Sequence, residues 1–71
     1  MVDILKQFGN RIKKLRSEKN ISQEELALIA NLHRTYIGMI ERGEKNLTLT
    51  SIQKLSRALE IDLSNIFKGL E

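Results

Sequence analysis

Isoleucine, leucine and phenylalanine recur at intervals of three and four along this chain, with charged and amide residues between them, the period of helices that bury a single face. Ile4, Leu5, Phe8, Ile12 and Leu15 predict a first helix from about Asp3, its N-cap, to Lys19. Asn20 ends it, since Asn tolerates the left-handed conformation of many helix ends. Ser22 with Glu25 three residues on forms a capping box, in which each side chain satisfies the other's backbone donor, and opens a second helix that runs to about Ala30. Asn31 supplies the turn, and a third helix covers roughly Arg34 to Arg42 before Gly43 stops it. Glu44 to Leu49 read as a polar loop. Thr50 followed by Gln53 repeats the capping-box spacing and starts a fourth helix with Ile52, Leu55, Ala58 and Leu59 turned inward. Asp62 caps a short fifth helix in which Leu63, Ile66 and Phe67 fall at i, i+3 and i+4, and Gly69 marks its end.

The second and third helices are joined by a turn too short to let them lie antiparallel, which makes the pair a helix-turn-helix, the device that lowers a helix into the DNA major groove. Leu26, Ala30, Leu32, Ile37 and Ile40 pack the two onto a core, and small Ala27 sits where their backbones approach. The expectation is an all-α fold of five helices forming one domain over residues 1–71.

A chain of 71 residues buries only about 60% of its unfolded surface, so self-association is a natural source of added stability. It holds no Cys, which excludes disulfides and thiolate metal sites, and no secretory signal or membrane-spanning run is visible, so a cytoplasmic protein is expected. One His, no Gly-rich phosphate loop and no paired carboxylates around a pocket leave no catalytic constellation, no metal site and no call for a cofactor. Net charge is +3; residues 1–45 carry nine bases against six acids and the remainder balances, so the electrostatic bias is expected at the reading head.

In helix-turn-helix geometry the first residues of the third helix meet base edges. Arg34 is the candidate specificity residue, because a guanidinium bonds both acceptors of a guanine; a phosphate or Glu41 are its other possible partners. Thr35 offers a hydroxyl or a methyl, and Tyr36 and Met39 are expected outward because Ile37 and Ile40 fill the inward positions. Gly38 inside a helix points to a close approach there, as of a DNA backbone or base edge, or to a weakly formed helix. Gln23 at the start of the second helix, where free donors and the helix dipole favour an anion, is the first phosphate candidate, followed by Arg16, Arg42, Lys45, Asn46 and Thr48. Lys13, Lys14 and Lys19 are expected to face solvent, and His33, a poor N-cap, to be a solvent-facing turn residue or a phosphate donor.

The chain resembles the lambda-repressor-like, xenobiotic-response-element type of five-helix DNA-binding domain. Ser22-Gln23-Glu24, Ala27, Ile37, Ile40-Glu41-Arg42-Gly43 and Leu59-Glu60-Ile61 carry the likeness. Arg34-Thr35-Tyr36-Ile37 and Arg42-Gly43-Glu44-Lys45-Asn46 are similar to restriction-modification controller proteins. Asn20 and Asn31 stand where Gly is commonest in the family, and His33 where Asp or Ser often caps. The resemblance implies a transcriptional regulator that binds inverted-repeat operators in double-stranded DNA as a homodimer, with the loop after the recognition helix gripping the backbone. It also implies that Glu24, where related phage regulators present an acid to the polymerase sigma subunit, is a candidate activation residue. For the dimer, Leu49, Ile52, Leu63 and Ile66 are the expected interface, while Phe67 and Leu55 complete the core. A phage-type repressor or antitoxin with the same domain, or a protein-interaction module, are the alternatives.

Overall fold

The structure, a computed structural model, describes residues 3–70. Its elements are α1 (Ile4–Glu18), α2 (Gln23–Ala30), α3 (Arg34–Glu41), α4 (Leu49–Ala58) and α5 (Leu63–Ile66). The local rules that start and stop them are those of the side chains. The Asp3 carboxylate accepts from the Leu5 N–H at 3.0 Å. Ser22 and Glu25 close the expected capping box, at 3.0 and 2.9 Å. Asn20 and Asn31 both take φ of 57°, and so does Glu60, a residue that composition does not mark for the left-handed region.

Phe8, Ile12, Leu26, Ala27, Ala30, Ile37, Ile40, Leu55, Ala58, Leu59 and Ile66 make one core, with α1 and α2 packed on α3, α2 on α4, and α4 on α5. Gly9 is where α1 meets the end of α3: a Cβ there would lie 2.3 Å from the Ile40 carbonyl oxygen and 2.8 Å from that of Glu41. Gly43, at φ +72°, lets the chain turn against the Lys6 backbone, where a Cβ would stand 2.9 Å from Lys6 Cα. No helix among the described residues is long and apolar enough to cross a membrane.

Three expectations are corrected. Helix α4 is capped by Thr48 and not by Thr50: the Thr48 hydroxyl accepts from the Ser51 N–H at 3.1 Å, with Leu47 before the cap and Ile52 at the fourth helical position both resting on the core, as in a hydrophobic staple. Ile66, expected at a subunit interface, is fully buried. Phe67, expected inside, is 41% exposed and lies against Phe8 with ring centroids 5.6 Å apart. A single turn of helix cannot turn both of these neighbours inward, and Ile66 takes the core position.

Candidate nucleic-acid interface

Two helix starts converge on one face. Ser22, Gln23 and Glu24 from the first turn of α2 line an open cleft of about 520 Å³ together with Arg34, Thr35 and Gly38 of α3 and, at its margins, Arg16 and Arg42. The expected base-contact residues Arg34 and Thr35 and the expected phosphate residues Gln23 and Arg42 are thus brought together, with the first two exposed.

The floor of this cleft is a buried ionic network. Arg16 Nε donates to Glu41 Oε2 at 2.7 Å and Nη2 to Oε1 at 3.1 Å, while Nη1 donates to the Ile21 carbonyl at 2.8 Å. Glu41 has a side chain only 3% exposed, so its charge is compensated locally. The hydrogen bond to Glu41 raises the Arg16 guanidinium above its ordinary value, against the opposing effect of burial. Glu41 Oε1 also accepts from Gln23 Nε2 at 2.9 Å, which fixes the carboxamide at the start of α2. Arg16, expected on a phosphate, thus shares the Glu41 carboxylate with Gln23 and helps to position it. The partner of Glu41 is Arg16 and not Arg34.

Gly38 is buried beside these groups: a Cβ there would approach Arg42 Nη1 at 3.1 Å and Gln23 Oε1 at 3.7 Å. These neighbours are the far ends of two flexible side chains, and Gly38 itself sits within the regular α3. Arg34 Nη1 stands 3.4 Å from Glu24 Oε2 and Arg42 Nε 3.1 Å from Glu44 Oε2, both pairs well exposed. His33 is the N-cap of α3, its Nδ1 accepting from the Thr35 N–H at 3.1 Å.

Tyr36 and Met39 are half-buried rather than fully outward, and Tyr36 also rests on the core. Its hydroxyl donates to Ser51 Oγ at 3.3 Å, and Lys45 Nζ lies 5.7 Å from its ring centroid, a cation–π distance. Thr48, expected on a phosphate, is exposed, caps α4 and donates to Ser51 Oγ at 3.0 Å. Ser51 is the residue missed from sequence; its only signal is its place three residues after Thr48. Asn46 is exposed in the loop between α3 and α4. On another side, Leu49, Ile52, Leu63 and Phe67 line one groove, with Leu49 82% exposed, so three of the four residues expected at the dimer interface lie together.

The expected electrostatic bias is relocated. Residues 22–45 hold three bases against four acids, whereas residues 1–21 hold six against two. The positive surplus rides on α1, and the reading head is balanced by its own carboxylates.

A family model described as helix-turn-helix matches residues 12–66. The control protein C.MunI of Mycoplasma sp is 46% identical over 72 residues, covering 100% of this chain and 97% of that protein. The crystal structure of the restriction-modification controller protein C.AhdI from Aeromonas hydrophila superposes with TM-score 0.87 at 44% identity, over 89% of this chain and 96% of that one. The controller protein C.Esp1396I, solved as a tetramer on its natural 35-base-pair operator, superposes with TM-score 0.87 at 40% identity, over 96% of this chain and 90% of that one.

Proposed function

The chain belongs to the helix-turn-helix family, and we propose that it is a transcriptional regulator of the restriction-modification controller kind, acting in the cytoplasm as a homodimer on inverted-repeat operators in double-stranded DNA. The observation that carries this reading is the exposed start of α3, with Arg34 and Thr35 beside Gln23 on one open face. Arg34 and Thr35 read bases, joined by Tyr36 and Met39 at the edge of the groove. Gln23, Arg42, Lys45 and Asn46 hold phosphates, which set position without reading sequence. The function is binding and not catalysis.

Leu49, Ile52 and Leu63, with Phe67 in place of Ile66, form the face on which two copies meet, because a one-domain footprint reads too few bases and a two-fold axis repeats it. Glu24 is exposed next to Gln23 and is the group that contacts the polymerase sigma subunit. Selection of bound sites from random duplexes tests the assignment: inverted half-sites about one helical turn apart support it, and failure to enrich any sequence overturns it.

A further inference from the structure

The positive surplus on α1 has a shape. Asn10, Arg11 and Lys14 share one outward face with Gln7, and with Lys68 beyond α5 they line a shallow cleft of about 350 Å³ that, among the described residues, no carboxylate borders. Arg11 is held rigidly there, Nη2 donating to the Asn65 carbonyl at 2.7 Å while its Nε is buried without a partner. Lys13 lies on the flank of the same face, and Lys6 lies on that flank about two turns closer to the start of α1, against the Gly43 turn that follows α3. Among the described residues, Lys6, Lys13, Lys14 and Lys68 are exposed and form no ion pair with any carboxylate. The two acids of this segment sit at the ends of α1, Asp3 as its cap and Glu18 as its last residue.

We infer that this basic track is a second phosphate-binding surface, which continues from the loop after α3 around α1 to Lys68 and takes the backbone of DNA flanking the operator. The reading head supplies little of the long-range attraction itself, since Arg16, Arg34 and Arg42 each face a carboxylate and Lys45 alone of its cations does not. The unpaired cations of α1 are placed to do so, and a line of exposed lysines fits an extended polyanion better than a compact ligand. The inference rests on the DNA-binding assignment above.

The test compares the complete wild-type chain with the triple variant Lys13→Ala/Lys14→Ala/Lys68→Ala on the selected inverted repeat, once as a fragment of about two helical turns and once extended by about one turn on each side. The wild type binds the longer duplex more tightly and with the steeper salt dependence. The triple variant loses that advantage, its slope on the longer duplex becoming shallower by about 0.9 for each phosphate contact removed, while its binding to the short duplex is unchanged. Replacing the same lysines by Arg preserves the advantage. Equal affinity of the wild type for both lengths, or an equal loss by the variant on both, overturns the inference and leaves operator recognition standing. A wild-type chain that shifts neither duplex overturns the DNA-binding assignment and the inference with it.

Discussion

Arg16 and Glu41 join the middle of the fold across 25 positions of sequence, through a two-pronged ion pair at 2.7 and 3.1 Å whose acid is almost wholly buried. Removing one partner strands the other's charge, so Glu41→Ala should cost about 3 kcal/mol or more. In a domain of this size that lowers the melting temperature on the order of 15 °C. The apolar pair Arg16→Met/Glu41→Leu should recover most of the melt in calorimetry, yet leave DNA affinity low because Gln23 has lost its acceptor.

Arg34→Ala should relax base preference at one operator position, worth roughly 1–3 kcal/mol of discrimination. Lys45→Ala and Gln23→Ala should weaken all sequences alike. Competition binding against single-base operator variants separates the two; equal loss on operator and random DNA for Arg34→Ala removes it from base reading.

Gly9→Ala gains helix propensity of about 1 kcal/mol and still should destabilise, because the added methyl meets backbone carbonyl oxygens of α3 that have no rotamer through which to retreat. Overpacking of this kind costs typically 1–3 kcal/mol and here parts α1 from α3. A urea titration that shows a more stable variant would contradict the close approach.

Acid should loosen the two helix ends that carry depressed carboxylates. The Asn65 N–H, followed by the Ser64 hydroxyl, holds the Asp62 carboxyl below its ordinary value of 3.8, and Lys19 holds that of Glu60 below 4.5. In both, the unfolded chain takes the proton first. The contribution is complete above these ordinary values and is lost as pH falls through the lower folded ones. Asp62→Asn keeps the cap and should flatten this acid limb in urea midpoints measured from about pH 5 to 2.

Leu49→Lys should give monomers in sedimentation with the helical spectrum intact, because Leu49 is 82% exposed. Ile66→Asp should unfold the domain instead, since that side chain has no exposure. A folded monomeric Ile66→Asp would return Ile66 to the interface.

Where a device is local it was legible: the Ser22–Glu25 box and the Asn20 and Asn31 turns involve neighbours whose chemistry declares itself. Arg34, Thr35, Gln23 and Arg42 follow from helix starts and spacing, and they share a face as expected. What sequence periodicity hid was competition between equivalent signals. Thr48 and Thr50 both offer a cap, and Leu47 decides between them by packing. Ile66 and Phe67 both offer an apolar side chain, and one turn buries one. The Arg16–Glu41 pair and the left-handed Glu60 were illegible, because burial brings the first together and nothing in a glutamate announces the second.

The first turn of α4 touches two things at once. Ser51 bonds the Tyr36 hydroxyl of α3, while Leu49, two residues earlier, is exposed on the face proposed above to meet a second copy. If two copies meet there, this handful of atoms would be the ruler between their reading heads. On that proposal a shift where the copies meet would reach Tyr36 through a single turn of helix and one hydrogen bond, and Ser51→Ala would uncouple the two.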